Sequence, residues 1–292
     1  MIIFTRITRT GTTSFWHGVK DNFNGGKTCW QKEDFAKEQY RKIGGLMKAL
    51  ADGRKFKLVP DMFSHHLPYG VHKLFSTNDY HYLAFLREPI SRTISAIKFA
   101  QALTYDKAYD HFLETTNFFR GQLFLQGFVR DIGRTGDDES VGLLLENCLK
   151  AGTCCNVMTK QLSGMEKPFD IQSTYAWPSG NIYSINHTTR YYTKKEMKVL
   201  LQAAKDNLAT YSFVGFQENG IADHKKACIG LGLSYHNHSV IYKGYEILPP
   251  LADADWQYSK TQELLCEMNE FDIELYDFAR KNDYEYKIQN SN

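Results

Sequence analysis

The strongest constraint on the fold is an abrupt change of character within the first sixteen residues. Met1-Ile2-Ile3-Phe4-Thr5-Arg6-Ile7 is apolar, rich in β-branched side chains and short, the pattern of a buried strand. It gives way at Arg9-Thr10-Gly11, where glycine breaks the strand, and Thr12-Thr13-Ser14-Phe15-Trp16 then suits the opening of a helix. The same grammar recurs downstream. His81-Tyr82-Leu83-Ala84-Phe85-Leu86 reads as a strand and runs into Arg87-Glu88-Pro89. Pro89 fits the first turn of a helix over 89–103, because a proline there gives up an N–H that has no intrahelical partner. Strand, turn and helix in succession, twice, predict parallel strands joined by crossover helices, an α/β fold.

Hydrophobic spacing predicts further helices over 32–52, 140–150 and 194–209, and short strands over 55–59, 181–185 and 212–216. The stretch 120–140, with Gly121, Gly127, Gly133 and Gly136, reads as a loop. Leu264, Leu265, Met268, Phe271, Leu275 and Phe278 form one stripe and predict a single long amphipathic helix over 259–282. No repeat, low-complexity tract or linker divides the chain. With 292 residues it is long enough to bury one large core, so a single domain over 1–292 is expected.

Charge narrows the function. The 35 basic and 33 acidic side chains leave a formal charge of +2, so no global field points to nucleic acid or a membrane surface, and any anion must be held by a local site. No apolar run is long enough to span a bilayer, and Met1–Phe4 is too short for a secretory signal; a soluble, cytoplasmic protein is expected. The six cysteines show no CxxC spacing, and reduced thiols are expected, with Cys148 and Cys154 or Cys155 as the one pair that could close a small loop. The sequons at Asn186 and Asn237 are read as chance matches.

A glycine loop between a strand and a helix offers backbone N–H groups to an anion, and Arg9 adds a permanent charge with a bidentate fork. Gly25-Gly26-Lys27-Thr28 looks like the end of an ATPase phosphate loop, but Asp21 stands where the first glycine belongs and no strand precedes it. In the second unit, Arg87 ends a strand and Ser95 lies on the following helix, so both can reach one phosphate near that helix start.

Together these segments resemble the sulfotransferases that use 3′-phosphoadenosine 5′-phosphosulfate (PAPS), in the carbohydrate branch related to heparan and dermatan sulfate 2-O-sulfotransferases. Ile7-Thr8-Arg9-Thr10-Gly11-Thr12-Thr13-Ser14-Phe15 is similar to that family's first motif, and Leu86, Arg87, Glu88, Pro89, Arg92 and Ser95 fill every fixed position of its second. Four further echoes occur in family order, at 64–72, 156–164, 213–218 and 269–279. The resemblance implies a P-loop-like central parallel sheet flanked by helices. It implies that Arg9, Thr10, Gly11, Thr12, Thr13 and Ser14 bind the 5′-phosphosulfate and that Arg87 and Ser95 bind the 3′-phosphate. No metal is expected.

By the same resemblance, the acceptor is a sugar or small-metabolite hydroxyl and His66 is the base that deprotonates it, with adjacent His65 the alternative register. The family carries lysine where this chain has Arg9, which can supply charge to the departing bisphosphate but cannot give up a proton. Lys160 and Lys73 are the residues that could substitute. A zinc site built from His65, His66 and His72 lacks a fourth ligand at sensible spacing. Two other classes remain open: a nucleotide-dependent kinase, which should carry a Walker lysine and a Mg²⁺ carboxylate, and a non-catalytic nucleotide- or glycan-binding protein.

Overall fold

The computed structural model describes residues 1–7, 9–23, 29–30, 55, 59–65, 69–103, 138–151, 155–164, 192–237 and 256–282. Its centre is a sheet of five parallel strands: Ile2–Thr5 (β1), Cys29–Trp30 (β2), Met62–His65 (β3), His81–Leu86 (β4) and Phe213–Phe216 (β5). Their spatial order is β2-β3-β1-β4-β5. Thr5 lies beside His65 on one side and Ala84 on the other, and Leu86 lies beside Phe216. The chain segments that leave β1, β3, β4 and β5 therefore all start at one edge of the sheet. β1 is central, with β3 on one flank and β4 on the other, so the crevice beyond its carboxyl end is the switch point where open α/β sheets bind ligands.

Alternation along the strands builds two cores. Ile3, Phe63, Tyr82, Ala84, Leu86, Val214 and Phe216 face one side. They pack there with the helices Val157–Leu162 (α4), Lys194–Leu208 (α5) and Glu270–Lys281 (α8). Phe4, Met62, Leu83, Phe85 and Phe213 face the other side. That side is covered by Thr12–Val19 (α1) and Ile221–Leu231 (α6). Burial on both faces explains why the strands read as continuous apolar runs. A third cluster, away from the sheet, joins Pro89–Leu103 (α2), Asp138–Ala151 (α3) and Ser259–Met268 (α7) through Ile97, Leu144, Leu145 and Leu265.

The strand expected over 212–216 and the helices expected over 89–103, 140–150 and 194–209 are present within one or two residues of those bounds. The helix over 32–52 and the strand over 181–185 lie outside the described residues, as do 56–58 and most of the 120–140 loop, whose last three residues open α3. The strand that pairs with β1 is Met62–His65. The single helix expected over 259–282 is two helices, α7 and α8, broken at Asn269.

The break has a local cause. Asn269 Nδ2 donates to the Leu265 carbonyl at 2.8 Å, and its Oδ1 accepts from Thr93 Oγ1 at 2.9 Å. The N–H groups of Phe271 and Asp272 then donate to Asn156 Oδ1, at 2.9 and 3.1 Å. The arrangement is reciprocal, because Asp272 accepts from Met158 N at 3.0 Å and Thr159 N at 2.7 Å at the start of α4. Each helix start thus takes its acceptor from the other, which satisfies N–H groups that helix geometry leaves open. Arg92 Nε lies 4.0 Å from Asp272 Oδ2, with both side chains fully buried. The arginine of the second motif therefore holds the C-terminal helix to α2.

Cys148 and Cys155 are free thiols, and Cys155 Sγ donates to the Cys148 carbonyl at 3.7 Å; Cys154 lies outside the described residues. Among the described residues no helix is long and apolar enough to cross a membrane.

Candidate anion-binding site

At the carboxyl edge of β1 the backbone turns sharply. Arg9 has φ 66° and Gly11 has φ 74°, both in the left-handed region. Gly11 is well suited to it. A Cβ there would lie 1.5 Å from Gln217 Oε1, so no larger residue fits without moving that side chain. The step from left-handed Gly11 into right-handed α1 is the alternation that forms anion-binding nests. Among the described residues no side chain caps α1. The N–H groups of Thr12, Thr13 and Ser14, in its first turn, thus have no intrahelical acceptor and no cap among the described residues.

The start of α2 is different. Ile90 N and Ser91 N donate to the two oxygens of Glu88, at 3.0 and 2.6 Å, and Glu88 N donates to Glu218 Oε1 at 2.7 Å. Carboxylates already fill that helix start. Of these two helix starts, the one whose N–H groups are not taken up by carboxylates is that of α1.

The structure brings the two motifs into contact. Arg9 Nε donates to Ser95 Oγ at 3.0 Å, and Arg87 Nη1 donates to the Arg9 carbonyl at 3.2 Å. Arg87 fixes the loop while its charge stays at the edge of β4. Burial pulls its guanidinium below its ordinary value, and Arg92 adds to this, whereas Glu218 and Glu88 act in the opposite direction. The fork of Arg9 spans the gap between loop and α2.

The hydroxyls divide into two sets. Thr10 Oγ1 and Thr12 Oγ1 both donate to the Ile7 carbonyl, at 3.0 and 3.3 Å, and both residues are buried. They tie the loop to the strand end, and their hydroxyl protons are spent internally. Thr13 Oγ1 instead accepts from Arg6 Nη2 at 3.3 Å. Arg6 in turn receives Gln161 Nε2 on its carbonyl at 3.0 Å, which joins α4 to the loop. Arg6, Gln161 and Gln217 were missed as individual residues. Gln161 and Gln217 fall in segments that carry the resemblance, but a side chain that meets the loop only in three dimensions leaves no local signal.

The expected base cannot be placed: His66 lies outside the described residues, and His65 is located by its backbone at the end of β3, opposite Thr5. His72 is committed elsewhere. Its Nδ1 pairs with Tyr82 Oη at 3.0 Å, its ring stacks on Tyr80 at 4.4 Å, and burial, with Lys73 adding, lowers its pKa to about 4. Among the described residues no group of three potential ligands could hold a metal. Lys73 is exposed on the 3₁₀ turn Val71–Leu74, and Lys160 lies on α4, buried with its Nζ 5.6 Å from the centre of the Tyr192 ring.

No known protein-family model matches the sequence, and no curated protein matches it. The fold and site define a parallel α/β protein with a cationic, glycine-turned loop and an uncapped helix start at the switch point of its sheet.

Proposed function

We propose that the chain is a PAPS-dependent sulfotransferase that moves a sulfuryl group to an acceptor hydroxyl on a sugar or small metabolite. The observation that carries this reading is the Arg9–Ser95 hydrogen bond, which joins two motifs 86 residues apart at one place. A β1–glycine loop–α1 unit at the centre of a parallel sheet supports a P-loop-like fold. The residues present fit a donor with two anionic ends. Arg9 and the N–H groups of Thr12, Thr13 and Ser14 would take the phosphosulfate, and Arg87 with Ser95 the 3′-phosphate.

When bound, PAPS supplies an activated sulfuryl group with the bisphosphate as its leaving group. The protein's part is positioning and charge. Fixed N–H donors and an arginine that need not reorganise favour charge on the leaving oxygen. Arg9 does this without serving as an acid. His66 would accept the acceptor's proton, a role worth about 10²–10⁴ in rate.

The test has two arms. Calorimetry should show 3′-phosphoadenosine 5′-phosphate binding without metal and in preference to ATP with Mg²⁺; the reverse preference would make the chain a kinase. Labelled PAPS with a panel of sugar and small-molecule acceptors should then yield a sulfated product, and His66→Ala should abolish transfer while leaving bisphosphate affinity unchanged. Tight bisphosphate binding with transfer to no acceptor would make the chain a non-catalytic binder.

A further inference from the structure

We propose that Glu218 is a positioning residue for the candidate site: it fixes the turn that carries Arg87 and ties that turn to α8. Its effect on a ligand rests on the sulfotransferase reading, in which Arg87 meets the 3′-phosphate; the positioning itself is measured without one. Register places Glu218 where it can act. Leu86 and Phe216 are paired neighbours at the ends of β4 and β5, so Arg87-Glu88 and Gln217-Glu218 leave the sheet side by side. The 3₁₀ turn Gln217–Asn219 is itself held by fully buried Asp223, whose Oδ2 accepts from Phe216 N at 2.7 Å and Asn219 Nδ2 at 2.9 Å.

Each oxygen of Glu218 holds a different element. Oε1 accepts from Glu88 N at 2.7 Å. Pro89 has no N–H, and those of Ile90 and Ser91 go to the carboxylate of Glu88 itself, so Glu88 N is the donor that ties the turn to the neighbouring strand end. Oε2 accepts from Tyr276 Oη at 2.9 Å and lies 3.6 Å from Arg280 Nη2. The direction of this second arm is fixed. Tyr276 Oη receives Arg280 Nε and Nη2 at 3.1 and 2.9 Å, which leaves its own proton for the carboxylate. Arg280 is steadied in turn by the Phe216 ring, whose centre lies 4.0 Å from its Cζ.

Held in this way, the turn sets where Arg87 stands. Its Nη1 reaches the Arg9 carbonyl at 3.2 Å, a contact that a small shift of the turn would break. Charge works in the same sense: burial disfavours the Arg87 guanidinium, and Glu218 opposes this more strongly than Glu88 does. The adjacent side chain serves the other motif. Gln217 Oε1 presses on Gly11 at the place of its missing Cβ and has no hydrogen-bond partner among the described residues, so it meets the loop by shape. One turn thus touches both motifs through consecutive residues.

The test uses the full chain and begins without ligand. In ¹H–¹⁵N spectra Glu218→Ala is expected to shift the Glu88 amide and the Arg87 Nε–H, while the amides of α3, in the separate third cluster, stay in place. With 35% of the Glu218 side chain exposed, the variant should fold, and melting curves check this. Tyr276→Phe cuts the α8 arm alone; it should shift the same two resonances by less and carries the test should Glu218→Ala fail to fold. Calorimetry with 3′-phosphoadenosine 5′-phosphate reads the consequence, and Glu218→Ala should weaken binding by about tenfold. In an Arg87→Ala background Glu218→Ala should cause no further loss, because it acts through Arg87; a merely structural role would cause the same loss in both backgrounds. Unmoved Glu88 and Arg87 resonances, affinity equal to the parent's, or additive losses would overturn the assignment. A parent chain that binds no bisphosphate would instead remove the sulfotransferase reading, and the two resonances alone would then decide the positioning.

Discussion

Replacing Asp272 by alanine tests the reciprocal helix caps most directly. The carboxylate is fully buried and accepts the N–H groups of Met158 and Thr159, with the Arg92 guanidinium 4.0 Å away. Each N–H deprived of its acceptor costs about 1–3 kcal/mol, less where water enters. Removing the carboxylate beside buried Arg92 brings the total to about 3–5 kcal/mol, the range for breaking a buried ion pair from one side. A chain of ordinary stability has only about 5–15 kcal/mol to lose. Asp272→Asn keeps one acceptor oxygen and removes the charge, so it should cost less than alanine, about 1–3 kcal/mol. Urea unfolding of the parent and both variants, followed by far-UV circular dichroism and tryptophan fluorescence, gives the ordering. Asn156→Ala removes the opposite cap, and because the two form one network its cost and that of Asp272→Ala should not add. An Asp272→Ala protein within about 1 kcal/mol of its parent would refute the reasoning, as would additivity in the double variant.

Other predictions concern the loop and pH. Gly11→Ala should cost about 1–2 kcal/mol from the left-handed backbone alone; the displaced Gln217 should also lower bisphosphate affinity, and a melting shift with unchanged affinity would confine the effect to strain. Arg87→Ala should weaken 3′-phosphoadenosine 5′-phosphate by about tenfold to a hundredfold, the loss of a charged hydrogen bond, with Arg87→Lys recovering only part of it in calorimetry. His224 is buried between Phe15 and Phe85, and burial lowers its pKa to about 4 from the usual 6.5, with Asp223 opposing the shift. The unfolded chain therefore takes up its proton first, and stability should fall as pH drops from about 6.5 towards 4, with no contribution from this residue above that window. Melting curves across the range should be flatter for His224→Leu; an equal slope in the variant would remove His224 as a cause, leaving His72, which burial shifts in the same direction.

How much of this was legible in the sequence depends on how local the signal was. The strand 81–86 and helix 89–103 were readable to the residue because an apolar run, an arginine turn and a first-turn proline stand in succession. The two motifs that hold Arg9, Arg87 and Ser95 stood out for the same reason, and the structure brings these three residues together. Met62-Phe63-Ser64-His65 was not legible as a strand, since two of its four residues are polar and only pairing with β1 defines it. The break at Asn269 was hidden beneath an unbroken hydrophobic stripe, because the groups that enforce it come from Asn156 and Thr93, at sequence separations of 115 and 176. Internal use of the Thr10 and Thr12 hydroxyls was equally invisible, as a threonine in a glycine loop looks the same whether it donates outward or to the strand behind it.

The crossed caps also impose an order on synthesis. The first turn of α4 waits for an acceptor that the ribosome delivers more than a hundred residues later. A nascent chain can pair its central strands early, yet α4, which is bonded through Gln161 to the strand end beneath the glycine-turned loop, gains its anchor only when α8 emerges. A polypeptide interrupted before Asp272 would carry every residue of the glycine-turned loop after β1 and lack the brace behind it.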